Sequence, residues 1–183
     1  TGYINDVDIK FLSSLIRDRA LSGGRLNLEN THIVGSMSIH DDCMSNGWNC
    51  LNGDGHLASL YLPKSLKEIS SAIGNISVDS LYFSPQKIHA VSSESFYRGD
   101  NNKYLKHLFL GENIDSIPKY SFIGCKNLTS ILLGKKMHYI GEAAFYASTN
   151  LKHLNWNEFT SSLDYIGPRA FLETQWKPDT ILI

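Results

Sequence analysis

The sequence predicts a solenoid of short coils stacked in one direction, each giving one strand to a parallel sheet. Three observations predict it: a leucine pattern at a fixed spacing, a coupled apolar–phenylalanine pair in the same phase, and irregular spacings that fall between strands. The leucine pattern, L-x-x-L-x-L, fits Leu105-Leu108-Leu110, Leu128-Ile131-Leu133 and Leu151-Leu154-Trp156, whose first members are 23 residues apart. Upstream, Leu57-Leu60-Leu62 and Val78-Leu81-Phe83 share the pattern, and Pro178-Ile181-Ile183 occupies the same frame downstream. After the strands, an apolar residue is followed five positions later by Phe: Val91/Phe96, Ile117/Phe122, Ile140/Phe145 and Ile166/Phe171. Two coupled patterns in one phase identify a repeat architecture.

The spacing widens to 27 residues from Val78 to Leu105, with the surplus near residues 98–102, and from Leu151 to Pro178, with the surplus near residues 161–163. A solenoid accepts insertions in its loops because only the strand and core positions must keep register. The fold class is therefore a leucine-rich-repeat solenoid, with a short-stranded parallel sheet on one face, irregular or short helical segments opposite, and an N-terminal helical cap. No coil has a core of its own, so its Leu, Ile and Phe side chains are buried only between neighbours. Each buried side chain contributes about 1.5–3 kcal/mol. Phe96, Phe122, Cys125, Phe145 and Phe171 are expected to form the structural core of the coils.

The whole chain, 1–183, reads as one domain. Residues 1–35 are expected to form an N-terminal helix and capping coil, 36–56 a loop insertion, and 57–183 the regular coils. In the cap, Ile9, Leu12, Leu15 and Ile16 share one helical face. Asn5 suits the N-cap, and Asp8 places a carboxylate in the first turn, where the helix dipole favours it. Gly23-Gly24-Arg25-Leu26-Asn27-Leu28 reads as a first, degenerate strand, with Ile33-Val34 behind it. At the other end the chain stops on an expected strand, Ile181-Leu182-Ile183, with no cap after it; either the native chain continues or the terminus sits differently. Thr1-Gly2-Tyr3 carries no signal peptide, and without an initial Met this says little about location.

Composition narrows the function classes. The chain has 42% hydrophobic and 19% charged residues, the balance of a globular domain rather than a disordered or fibrous one. Its net charge of −1 and the lack of a basic stripe argue against a nucleic-acid partner. No apolar run approaches the roughly 20 residues that span a bilayer. There is no Gly-rich phosphate loop, no G-x-S-x-G elbow and no H-E-x-x-H, so an enzyme is not expected and no cofactor is assigned. His40, Cys43, Cys50 and His56 gather in the loop insertion. They are open to a plain loop, a Cys43–Cys50 disulfide or a zinc site, but their spacing matches no standard zinc arrangement and no metal is assigned. Cys125 falls at a repeat core position, where a buried, inert thiol is expected.

The candidate binding site is the outward face of the sheet. Residues between the inward positions of L-x-x-L-x-L point to solvent. The one just before the last inward residue is Tyr61, Tyr82, Phe109 and Leu132 in successive coils, then Asn155 and Leu182. Stacking turns Tyr61 to Leu132 into an apolar, aromatic stripe, flanked by Lys106, His107, Lys152 and His153. Exposed patches of this kind mark interfaces, whereas like residues stacked along a sheet also simply stabilise it.

The phrases Ile140-Gly141-Glu142-Ala143-Ala144-Phe145 and Ile166-Gly167-Pro168-Arg169-Ala170-Phe171, with Phe122-Ile123-Gly124-Cys125-Lys126-Asn127-Leu128-Thr129-Ser130-Ile131, resemble the BspA-type leucine-rich-repeat family of bacterial surface proteins. The stretch from Asn5 to Leu12, continuing to Leu28, resembles the family's capping segment. The family cysteine is replaced by Ser148 and Thr174 in the next coils, and the unit starting at Ile69 has Gly74 where Phe is expected. The resemblance implies that the solenoid is a right-handed arc, and that the chain is a cell-surface or secreted, non-catalytic module that adheres to a protein or glycan, of host or bacterial origin. The alternative is a passive scaffold or spacer within a larger surface protein. The partner does not transfer with the fold, because function lies in the residues that the repeat leaves free.

Overall fold

The structure, a computed structural model, describes residues 2–4, 8, 11, 15, 23–33, 56–66, 77–86, 89–91, 96 and 104–178. The main sheet joins β2 (Arg25–Asn27), β4 (Leu57–Tyr61), β5 (Val78–Phe83), β6 (His107–Leu110), β8 (Ser130–Leu132) and β10 (His153–Leu154), in that order. Every pair in it is parallel. Sequence order and spatial order agree, as in a stack of coils. A second parallel sheet joins β7 (Ser116–Ile117), β9 (Tyr139–Ile140) and β11 (Tyr165–Ile166), and Ala90 extends it by a single bridge to Ser116. β1 (Gly2–Ile4) pairs in parallel with β3 (Thr31–Ile33).

The inward positions follow the leucine frame. Leu57, Leu60 and Leu62, Val78, Leu81 and Phe83, Leu105, Leu108 and Leu110, and Leu128, Ile131 and Leu133 are all buried. Register is strict: Leu60 lies opposite Leu81, Leu81 opposite Leu108, and Leu108 opposite Ile131. A one-residue slip would turn every leucine to solvent. The phenylalanines form a second pillar. Phe96 and Phe122, Phe122 and Phe145, and Phe145 and Phe171 stack at centroid separations of 4.7, 5.2 and 5.0 Å. Phe96, Phe122 and Phe145 are buried, while Phe171, the last ring of the pillar, is half-buried.

The I-G-x-x-A-F phrase has a steric reading. Ile140, Ala144 and Phe145 have no exposed surface. Gly141 sits where a Cβ would lie 2.4 Å from the backbone nitrogen of Lys119, and Gly167 where it would lie 2.3 Å from that of Glu142. Both glycines let one coil's backbone close onto the coil before it, with Gly141 N–H donating to Ile117 O and Gly167 N–H to Ile140 O. The cysteine position has a hydrogen-bonding reading. The Cys125 thiol donates to the carbonyl of Phe96, and one coil on the Ser148 hydroxyl donates to that of Phe122 at 2.6 Å. Serine replaces the cysteine because the site needs a small buried donor. Thr174 donates instead to Phe171 O within its own coil.

The structure differs from the sequence expectation in several places. Opposite the main sheet the coils run mostly through turns, as expected, but these include a second sheet of two-residue strands, because tight stacking pairs even so short a stretch. Helix appears at the 161–163 surplus instead: α1 (Trp156–Phe159) runs into a 3-10 turn, Thr160–Ser162, and Phe159 plugs the core. Trp156, expected inward in a strand, opens α1 and is half-buried. It meets Trp176 at 4.9 Å, and Trp176 meets Phe171 at 4.5 Å, so an aromatic cluster packs against the last described coil. Of the expected N-terminal helix, Asp8, Phe11 and Leu15 are helical; its other residues, including Asn5, lie outside the described ones. β1 has no counterpart in the sequence reading, since three residues are too few to show a period. The loop bearing His40, Cys43 and Cys50, the Ile69–Gly74 segment, the 98–102 surplus and residues 179–183 also lie outside the described residues.

Candidate binding face

Two columns of side chains lie on the outer side of the main sheet, where one member, Ser59, is itself buried. One runs Arg25, Ser59, Ser80, His107, Ser130, His153; the other runs Asn27, Tyr61, Tyr82, Phe109, Leu132. Strand alternation sets both, since the columns flank the inward leucine, or in β8 Ile131, of each strand. In the second column the rings are in face-to-face contact. Tyr61 and Tyr82 stack at 3.9 Å and 6°, Tyr82 and Phe109 at 4.2 Å and 1°. The stacking half-buries each ring, so the stripe presents ring edges and one free apolar end, Leu132, at 41% exposure. Burial first, and then the neighbouring Tyr61 hydroxyl, hold the Tyr82 phenol above its ordinary range.

Asn155 closes this column. Its amide oxygen accepts from Leu133 N–H and its amide nitrogen donates to Leu133 O, both at 2.8 Å. The side chain thereby mimics the peptide unit that a longer β10 would have supplied. Asn27 begins the column on the other side, opposite Tyr61, and its Oδ1 accepts from Glu29 N–H.

Two grooves meet at Phe109 and Leu132. One, about 620 Å³, extends past the ends of the strands and includes Tyr82, Glu29, Glu112 and Glu158, with Lys64 held 2.9 Å from Glu29. The other, about 510 Å³, lies over β8 and β10 and includes Lys152, His153, Trp176 and Lys177. Both volumes fall in the range of small-ligand sites, roughly 300–1,000 Å³.

The candidate residues do not form one cluster. Tyr61, Tyr82, Phe109 and Leu132 are contiguous. Lys106 leans to the Asp79 side and pairs with it at 3.4 Å, while His56 approaches Asp79 at 3.7 Å and stacks on Tyr104. Lys152 and His153 are exposed beside the second groove. His107 shares a 2.7 Å hydrogen bond with Ser130. A nucleophile and base at that distance need a third group to orient the imidazole; among the described residues none bonds the other nitrogen of His107. Nor does any group of three His, Cys, Asp or Glu side chains form a metal site there.

Trp176 and Lys177 were not legible as site residues, because only the fold returns them to β10. Asn27 was legible: it holds the column position in the degenerate strand read from Gly23 to Leu28. So was a third exposed feature, the stacked pair Tyr139 and Tyr165 on the second sheet, which precede the isoleucines of the two I-G phrases.

A family model described as BspA type Leucine rich repeat region matches the chain in six copies, over residues 16–103 and 49–177. No match was found among curated proteins or solved structures. No helix among the described residues is long and apolar enough to cross a membrane.

Proposed function

The chain belongs to the BspA type leucine-rich-repeat family, and from that premise we propose that it is a non-catalytic binding or adhesion module of a bacterial surface or secreted protein. The outward face of the main sheet recognises a protein or glycan partner. One observation carries the reading: the half-buried ladder Tyr61–Tyr82–Phe109 ends in exposed Leu132 where two grooves meet. Such a surface offers a preformed apolar centre with polar sides, the usual anatomy of a recognition patch. Lys106, His107, Lys152 and His153 supply its polar border.

The ring contacts favour a second reading. Stacking at 3.9–4.2 Å itself contributes about 0.5–1.5 kcal/mol per pair, which a passive spacer would also use. A screen against matrix proteins and glycans separates the two. The intact module captures a partner, and Tyr82→Ala with Phe109→Ala loses it while the circular-dichroism spectrum stays that of the parent. Capture of nothing by the intact module would leave only the spacer, and full affinity in the folded double variant would move recognition off this face.

A further inference from the structure

Resting on the sheet face as the binding surface, we propose that the groove over β8 and β10 takes a carboxylated oligosaccharide. Lys152 and Lys177 line it, both exposed, together with His153 of β10. No Asp or Glu lines this groove, and no carboxylate among the described residues pairs with either lysine. The neighbouring groove is the opposite, with Glu29, Glu112 and Glu158 against a single lysine that Glu29 already holds. The two grooves thus differ in charge, although Glu158 on α1 also lines a smaller groove with Lys177, and an anion is drawn to the one that bears the lysines. Phe109, Leu132 and Trp176 give that groove apolar surface as well.

The backbone argues for a saccharide over an acidic peptide. An extended peptide gains affinity mainly by main-chain bonding at a sheet edge. Here the groove floor is the interior strand β8, paired with β6 and β10. β10, the end strand of the sheet among the described residues, is only the two residues His153–Leu154, with Trp176 and Lys177 lining the same groove, too short an edge for an added strand. At the rim, the Asn155 amide takes both main-chain groups of Leu133. Contact with a ligand therefore falls mainly to side chains: two ammonium groups for a carboxylate, an imidazole, and apolar planes for the C–H faces of sugar rings. A uronate or sialate chain presents that combination at every acidic residue.

Calorimetry on the folded chain with hyaluronan, oligogalacturonate and oligosialic acid tests this, with maltohexaose and poly-glutamate as comparators. At least one carboxylated saccharide binds, more weakly as salt rises, and more tightly than either comparator. Lys152→Ala with Lys177→Ala weakens it by about tenfold or more, while Lys119→Ala, beyond the second sheet, leaves it unchanged. The proposal is overturned if none of the three binds at millimolar concentration, if poly-glutamate binds as tightly, or if the lysine double variant binds like the parent. Loss with Tyr82→Ala and Phe109→Ala but not with the lysine variant would keep the face and reject the groove. Retention in both variants would reject both.

Discussion

Replacing Gly141 by Ala should destabilise the protein, although the same exchange at an open site of compatible backbone stabilises by about 0.4–1 kcal/mol. Gly141 is not in the left-handed region, so alanine meets no local strain. The obstacle is the neighbouring coil: the new Cβ would lie 2.4 Å from Lys119 N, 2.7 Å from Pro118 C and 2.9 Å from Lys119 Cα, where ordinary contacts lie at 3.4–4 Å. All three are backbone atoms, so no rotamer change relieves them. Restoring contact requires the coils to part by about an ångström, a forced overpacking that costs about 1–3 kcal/mol. Parting also stretches Gly141 N–H to Ile117 O, 2.8 Å, and Tyr120 N–H to Glu142 O, 3.0 Å, each contributing about 1 kcal/mol. The total is about 3–5 kcal/mol, which lowers Tm by about 6–20 °C for a domain of this size. Thermal unfolding followed by far-ultraviolet circular dichroism reads it, with Gly2→Ala, where nothing lies within 4 Å, as the reference. An unchanged or raised Tm for Gly141→Ala would refute the coil spacing and the reading of the I-G phrase.

Two further predictions address the core. Phe145→Ala removes a fully buried ring stacked on both Phe122 and Phe145's other neighbour, Phe171, and should cost about 3–5 kcal/mol; a calorimetric Tm within 2 °C of the parent (about 1 kcal/mol or less) would count against the pillar. Burial pushes the Cys125 thiol from 9.0 up to about 12. In the unfolded chain it ionises from about 9, so this stabilisation is complete below that pH and is lost as pH rises towards 12. Denaturant titrations should show the parent losing about 1.4 kcal/mol per pH unit more than Cys125→Ala across that window, and equal slopes would mean a solvent-exposed thiol.

What the sequence revealed, and what it did not, follows from the range of each interaction. The leucine frame and the phenylalanine pillar were legible because each inward position repeats once per coil, and burial leaves little choice of residue there. The glycine and cysteine positions were visible as motif letters, but their reasons needed the neighbouring coil: Gly141 is required by Lys119, and Ser148 can replace cysteine because it reaches Phe122 O. The second sheet was missed because a strand such as Ser116–Ile117 is too short to show alternation. At the candidate face, the column Tyr61 to Leu132 followed from phase alone. The pairing of Lys106 with Asp79 did not, since it spans the irregular 27-residue step. Trp176 and Lys177 join the face only because the last described coil returns its chain beside β10. Repeat periodicity therefore exposes what every coil shares and hides what a single coil contributes.

The central claim is that recognition uses the outward face of the main sheet. Hydroxyl-radical footprinting of the chain with its captured partner tests it most directly, because two stacked aromatic pairs on different sheets serve as reporters in one molecule. Tyr82, Phe109 and Leu132 should gain protection on binding, while Tyr139 and Tyr165, exposed at 40% and 47%, stay as reactive as in the free protein. Protection at Tyr139 and Tyr165 with none at Tyr82, Phe109 and Leu132 would contradict it.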